Sequence, residues 1–191
     1  ILDNTTLDKF IATGTAIIKD DLRSSYVNKI PSNIPSNVSS LWFKELLTKL
    51  PWERPVNQNT GIPLNRQTVW MSNCNCPYTY GGVTMKPVPF NTTVMSITYH
   101  IFDKVLRLPL PDAVNINLYD GGFQMVGWHS DDEPIFQCED VRIYSLTLGH
   151  GRDFQLIRKD LRKTEGKFKR LQKPDPADVY LSLIHISEPT R

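Results

Sequence analysis

The sequence predicts an α+β domain in which helices come first and an antiparallel β-sheet core follows. In the first half of the chain, two stretches place apolar residues at the spacing of one helix face. In the second half the apolar period changes to two, which is the period of a strand with one buried face. Helices followed by a run of strands are typical of α+β folds with a sandwich or barrel core. The 191 residues fit one such domain.

Composition excludes several classes of protein. With 40% hydrophobic residues the chain can bury a core, which excludes wholesale disorder. No apolar run approaches the roughly 20 residues that cross a bilayer, so we expect no membrane partner. No secretory leader is visible, although the chain begins at Ile1 and we expect the native N-terminus to be missing. Three cysteines cannot all pair, which favours a reducing compartment, here the nucleus or the cytoplasm.

Two helices are expected in the first half. Residues 29–40 are rich in Pro, Ser and Asn and form a connector. Ser39 or Ser40 is expected to cap the first helix, which Pro51 ends. The apolar face of this helix contains Trp42, Phe43, Leu46, Leu47 and Leu50. A second helix is expected over residues 93–106, with an apolar stripe of Val94, Ile97, Ile101 and Val105.

Strands dominate the second half. Residues 114–119 alternate, so one sheet face presents Asn115, Asn117 and Tyr119, and the other presents Val114, Ile116 and Leu118. Residues 142–148 form a further strand, and a tight turn at residues 149–151 joins it to a hairpin partner over residues 153–158. Short strands are also expected at residues 168–171 and 178–180.

Positive charge is concentrated in residues 158–170, which we call the basic segment. It holds seven Lys or Arg and two Asp or Glu, a local balance of +5, so the rest of the chain sums to −3. Such a segment fits an anionic partner such as a phosphate backbone. A solvated hairpin explains the same pattern about equally well.

The densest group of metal-binding residue types is the run G-W-H-S-D-D-E at residues 127–133. His129 and Asp131 are two apart, so on an extended segment their side chains point the same way. One imidazole nitrogen and one carboxylate oxygen are two of the three ligands of a non-haem Fe(II) facial triad. Taken alone, an H-x-D triplet is a weak signal, and a solvent-facing acidic loop explains it as well.

The order of several motifs strengthens the iron hypothesis. The strand motif N-L-Y at residues 117–119 precedes W-H-S-D-D-E, and R-I-Y-S-L-T-L-G follows at residues 142–149. The motif Y-T-Y-G-G-V-T lies upstream at residues 78–84. With these motifs the chain resembles the AlkB family of Fe(II)- and 2-oxoglutarate-dependent dioxygenases, most closely the animal-type branch that repairs alkylated nucleic acids. The resemblance covers a domain at residues 41–180, after an N-terminal extension and connector at residues 1–40.

The resemblance implies a fold and a set of cofactors. The core would be a double-stranded β-helix, or jelly-roll, flanked by N-terminal helices. The cofactors would be Fe(II), 2-oxoglutarate as cosubstrate, and O₂. His129 and Asp131 would bind the iron, and Asn117 and Tyr119 would hydrogen-bond 2-oxoglutarate.

The resemblance also implies roles at the substrate. Asp132 and Glu133 would contact the methylated base, while Tyr78 and Tyr80 would lie in the recognition lid, where aromatic rings stack on a flipped nucleotide. Trp52 resembles a further aromatic residue of the base pocket. The alternative is that these aromatic residues belong to the core or a hairpin, which is the interpretation we favour for Trp70. Arg152 would either contact the substrate or form a structural ion pair. In the basic segment, Lys167, Lys169 and Arg170 would contact the phosphate backbone.

The last eleven residues, 181–191, match a translated frame of an adapter used in transposase-based sequencing libraries. We therefore expect an adapter-derived tail, and a jelly-roll that is incomplete at its C-terminus. In the family, the second iron histidine and the arginines for 2-oxoglutarate come later in the chain. We accordingly expect the third iron ligand to be absent from this chain, His185 to lie away from His129 and Asp131, and the chain as written to be inactive.

The function implied by the resemblance is oxidative demethylation of N-alkylated bases such as 1-methyladenine and 3-methylcytosine, with release of formaldehyde and succinate. The partner would be methylated DNA or RNA, and the protein a monomer. One alternative is a non-catalytic nucleic-acid-binding module with a degenerate dioxygenase fold. Another is a metal-assisted hydrolase that uses His129 and Asp131.

Overall fold

A four-stranded antiparallel sheet forms the centre of the fold. The computed structural model describes residues 15–20, 25–31, 33–129, 131, 142–156 and 179–186. In the sheet the spatial order is β3 (Gln67–Ser72), β6 (Ala113–Asp120), β8 (Val179–Ile186) and β7 (Ile143–Gly149). Two hairpins stand outside it: β1 (Thr15–Asp20) with β2 (Ser25–Lys29), and β4 (Tyr78–Tyr80) with β5 (Val83–Met85). With two helical segments before β6, the predicted α+β class is confirmed.

The first helix, α1, spans Ser36–Lys49 and begins earlier than expected. Pro35 occupies the N-cap position with extended backbone, and no side chain caps the helix there. The prediction of a cap at Ser39 or Ser40 is wrong, because both residues lie inside the helix and Ser39 donates to the carbonyl of Ser36. Proline ends the connector before Ser36, since its ring fixes φ and it has no N–H to satisfy.

The second helical segment divides into two parts. Helix α2 spans Thr92–Thr98, and a π-helix continues it over Tyr99–Leu106. Asn91 caps α2, since its side-chain oxygen accepts a hydrogen bond from the backbone N–H of Val94 at 2.8 Å. Helical structure over residues 93–106 is confirmed, and the expected stripe packs inward with Val94 and Ile97 fully buried. None of the helical segments in the described residues combines the length and the hydropathy of a membrane span.

The predicted strand at residues 114–119 is confirmed as the centre of β6. It pairs with β3 on one side and β8 on the other, both antiparallel. The expected hairpin partner of β7 at residues 153–158 is wrong where it is described, since residues 151–156 form no strand and β7 pairs with β8. The strand predicted at residues 168–171 lies outside the described residues.

Strand β8 contains the start of the tail that the sequence predicts to be adapter-derived. Tyr180 pairs with Tyr119, and the strand continues through residues 181–186 between β6 and β7. The Cα of His185 lies in register with Val114 and Tyr144, five residues along β6 from Tyr119. The adapter origin of the tail stays a prediction.

The two faces of β6 contribute to different clusters. One face joins the helices in a core that we call the helix-side core, which consists of Leu46, Leu50, Val69, Met71, Val94, Ile97, Val114, Ile116, Leu118 and Leu148. The other face borders the aromatic cluster of Trp70, Tyr78, Val83, Met85 and Ala113. Asn115, Asn117 and Tyr119 therefore lie on the sheet face turned away from the helices, as the alternation predicted.

The loop between β3 and β4 is closed by a disulfide between Cys74 and Cys76. The sequence did not predict this pairing. Within the same loop the indole N–H of Trp70 donates to the carbonyl of Cys76 at 2.8 Å. These contacts constrain the loop that leads from β3 to strand β4, which carries Tyr78 and Tyr80.

Candidate active site

The candidate site begins with buried polar groups on the face of β6 turned away from the helices. Asn117 and Tyr119 are almost fully buried there. Thr68 of β3 lies opposite Asn117. Its hydroxyl donates a hydrogen bond to the side-chain oxygen of Asn115 at 3.0 Å. Because buried polar side chains are costly unless hydrogen-bonded, such a row on a sheet face is typical of a site that receives a polar ligand.

His129 and Asp131 follow in the loop after β6. The Nδ1 atom of His129 lies 2.8 Å from the carbonyl oxygen of Gly127. A carbonyl oxygen only accepts, so Nδ1 carries the hydrogen and the lone pair of the neutral ring is on Nε2. Metal-binding histidines commonly donate their second ring nitrogen in this way. The Nε2 atom lies 3.4 Å from Oδ1 of Asp131, so the expected pairing of these two side chains is present.

The distance between these two atoms fits a shared metal ion. Donors about 2.0–2.2 Å from a first-row metal, at roughly a right angle to each other, lie about 3 Å apart. An imidazole nitrogen and a carboxylate oxygen suit Fe(II) when a third protein ligand completes a facial triad. Among the described residues no cluster of three or more His, Cys, Asp or Glu is present. The described part of the chain thus brings together two of the three donor groups that such a triad requires.

The contact with Asp131 also affects the titration of His129. The hydrogen bond to Asp131 raises the pKa of His129 above its ordinary value; partial burial opposes this change, and the carbonyl of Gly127 reinforces it. The positive charge of Arg66 acts in the opposite direction and lowers the pKa. The Asp131 carboxylate therefore favours a positive charge on or beside the His129 ring.

Arg66 is a residue of the site that belongs to no motif in the sequence. It immediately precedes β3 and is only 6% exposed. Its Nε donates to Oδ1 of Asn117 at 2.7 Å, and its Nη2 donates to the hydroxyl of Tyr80 at 2.8 Å. The partners are 51 and 14 residues away, so only the pairing of β3 with β6 and the fold of the β4–β5 hairpin reveal the contact.

The aromatic residues that the sequence analysis considered for the recognition lid, the base pocket or the core lie in three different environments. Tyr78 is buried between Trp70 and Tyr80, with ring centroids 4.7 and 5.0 Å away. Tyr80 is partly exposed and contacts Arg66. Trp70 is buried in the aromatic cluster, as expected. Trp52 packs against the helix-side core and donates to the carbonyl of Leu47 at 3.1 Å, so it lies on the sheet face away from Asn117.

Arg152 follows β7 and reaches the end of β6. Its guanidinium lies 5.6 Å from the centre of the Tyr119 ring. It also donates to backbone carbonyls of the loop after β6, those of Gly121, Gly122 and Gln124. The predicted residues Asp132, Glu133, Lys167, Lys169 and Arg170 lie outside the described residues, and their roles stay predictions.

Comparison with known proteins bears on the chemistry expected of His129 and Asp131. The sequence profile of the 2OG-Fe(II) oxygenase superfamily matches residues 27–178. The chain belongs to this superfamily. Membership implies a jelly-roll core. The matched residues include His129, Asp131 and the polar face of β6.

Curated relatives within the superfamily are AlkB homologues, which confirms the family resemblance. Alpha-ketoglutarate-dependent dioxygenase alkB homolog 3 of Mus musculus is 29% identical over 143 residues, which cover 69% of this chain and 46% of that protein. The Homo sapiens protein of the same name is 29% identical over 148 residues, with 69% and 46% covered. DNA oxidative demethylase ALKBH2 of Arabidopsis thaliana is 28% identical over 142 residues, with 70% and 44% covered. The chain thus spans about half the length of these relatives.

Proposed function

We propose that the protein removes N-alkyl groups from nucleic-acid bases of the 1-methyladenine and 3-methylcytosine type, using Fe(II), 2-oxoglutarate and O₂. The observation that carries this proposal is the pair of donor atoms on His129 and Asp131, 3.4 Å apart, in the loop that follows the polar face of β6. Membership of the superfamily supports the cofactors. The names of the AlkB homologues support the substrate class.

Four described residues have a defined role in this proposal. His129 and Asp131 would hold the iron, while Asn117 and Tyr119 would hydrogen-bond 2-oxoglutarate on the buried sheet face. The bound iron supplies oxidation of the N-methyl carbon by O₂, coupled to decarboxylation of 2-oxoglutarate, and the products are the free base, formaldehyde, succinate and CO₂. The loop at Gly127 keeps the His129 ring in one tautomer, so Nε2 stays available to the metal.

Charge supports a cationic base as the substrate. Alkylation at N1 of adenine or N3 of cytosine gives the ring a positive charge at neutral pH. Asp132 and Glu133 follow Asp131 directly, so two carboxylates remain for the base after one is used by the metal. The basic segment carries the opposite charge and suits the phosphate backbone.

The test is a product assay on the full-length protein. It is incubated with Fe(II), 2-oxoglutarate and oligonucleotides that contain either 1-methyladenine or adenine. We expect formaldehyde from the methylated oligonucleotide alone, in step with succinate. Binding of the oligonucleotide without succinate would instead support the non-catalytic module. Cleavage that needs metal but no 2-oxoglutarate would support the hydrolase.

A further inference from the structure

The guanidinium of Arg66 is a buried cation whose hydrogen bonds go to neutral side chains. It is 6% exposed, and its hydrogen bonds reach an amide oxygen of Asn117 and a hydroxyl of Tyr80. No carboxylate of a described residue forms an ion pair with it. Burying a charge is costly unless strong hydrogen bonds or an opposite charge compensate for it, and here the bonds to Asn117 and Tyr80 supply that compensation.

The bond from Arg66 decides which way the Asn117 side chain points. A guanidinium has five N–H donors and no acceptor, so only the oxygen of the Asn117 carboxamide can face it. The nitrogen of the same carboxamide therefore points away from Arg66. Arg66 thus makes Asn117 a donor of fixed direction.

A second contact fixes Arg66 itself. The Tyr80 hydroxyl accepts from Nη2 at 2.8 Å, and Tyr80 lies in β4, next to the hairpin turn. That turn is anchored in its own right, because Asn57 donates to the carbonyl of Gly81 at 2.6 Å and the backbone N–H of Gln58 donates to that of Gly82 at 2.8 Å. The two N–H groups used by Arg66 belong to different nitrogens, which a lysine ammonium cannot reproduce.

We propose that Arg66 is a positioning residue that holds Asn117 as a hydrogen-bond donor to a carboxylate of 2-oxoglutarate. The proposal rests on the proposed function and adds a residue to it. A donor held in the correct direction binds an anion more tightly than one that rotates freely, because no ordering cost remains at the moment of binding. The cation of Arg66 next to the same amide also favours an anionic ligand on this face.

The test is a double-mutant cycle on the affinity for 2-oxoglutarate, which needs no turnover. Full-length protein is loaded with Mn(II) in place of Fe(II), and 2-oxoglutarate binding is measured by calorimetry. Arg66→Lys and Arg66→Met are each made in the wild-type chain and in an Asn117→Ala chain. We expect each change to raise the Kd about tenfold in the wild-type chain, the loss typical of one hydrogen bond to a charged group. In the Asn117→Ala chain Arg66→Lys, which keeps the positive charge, should alter the Kd less than about twofold, because the residue that Arg66 orients is gone.

Controls separate positioning from a general loss of structure. Arg54→Met removes an exposed arginine that, like Arg66, lies between α1 and β3, and it should leave the Kd for 2-oxoglutarate unchanged. Arg66→Lys keeps a positive charge, so it serves as the readout where Arg66→Met does not fold. Equal effects of the Arg66 changes with and without Asn117 would overturn the positioning role and leave the proposed function intact. No 2-oxoglutarate binding by the wild-type protein would overturn the proposed function itself.

Discussion

The Nη2 atom of Arg152 donates a hydrogen bond to the backbone carbonyl of Gln124 over 2.6 Å. The same guanidinium donates to the carbonyls of Gly121 and Gly122 and lies beside the Tyr119 ring. Arg152 thereby ties the residues after β7 to the loop that leads from β6 to His129. We therefore expect this side chain to help position the loop that carries His129 and Asp131.

Arg152→Met should weaken metal binding. Mutating a residue that orients metal ligands without touching the metal typically lowers metal affinity 10- to 100-fold. For Arg152→Met we expect Mn(II) affinity to fall about tenfold, near the lower end of that range, in a titration of the full-length protein. Lys86→Met, which removes an exposed cation, is the matched control and should have no effect. Unchanged Mn(II) affinity with weaker oligonucleotide binding would instead place Arg152 at the substrate.

Helix α1 offers a matched pair of leucines for testing the helix-side core. Leu46 is 0% exposed and Leu41, five residues earlier in the same helix, is 57% exposed. Leu46→Ala should lower the free energy of unfolding by about 2–5 kcal/mol, because it removes buried methyl groups and leaves a cavity. Leu41→Ala should change it by no more than about 0.5 kcal/mol. Urea denaturation measures both, and similar losses would show that the helix does not bury this face.

If the basic segment contacts phosphates, oligonucleotide binding should depend on salt concentration through its lysines and arginines. Changing Lys167, Lys169 and Arg170 to Gln should weaken oligonucleotide binding about equally for all sequences. The slope of log affinity against log salt should become shallower by about 0.9 for each duplex phosphate that the variant no longer neutralises, or about 0.7 on a single strand. Changing Lys44, Lys49 and Lys86 to Gln removes the same charge elsewhere. If both triple variants shift the slope equally, or neither does, the basic segment is only a solvated surface.

Features of the site that depend on neighbours in the chain could be predicted from the sequence. The alternation in residues 114–119 placed Asn117 and Tyr119 on one face of β6, and that face is turned away from the helices as expected. The spacing of His129 and Asp131 predicted that their side chains meet, which their 3.4 Å separation confirms. Period and spacing are local properties, so the side chains they relate do not depend on how distant strands pair.

Features that depend on distant pairing could not be predicted. Arg66 has no motif around it, and its place beside Asn117 follows from the register that puts Thr68 opposite Asn117. The partner of β7 is another such case, because a turn at residues 149–151 suggested a local hairpin while the strand pairs with β8 instead. The start of α1 was missed for a different reason, since Pro35 stops the connector without any side-chain cap.

The most direct test of the metal centre is the turnover of 2-oxoglutarate by Asp131→Ala in the full-length protein. Asp131 is partly exposed and lies outside both cores, so the variant should melt at the wild-type temperature. It should form no succinate above background, because it lacks one of the proposed iron ligands. Asp103→Ala removes a carboxylate that pairs with Lys104 instead, and it should keep full turnover. A folded Asp131→Ala protein that produces succinate at the wild-type rate would contradict the assignment of His129 and Asp131 as iron ligands.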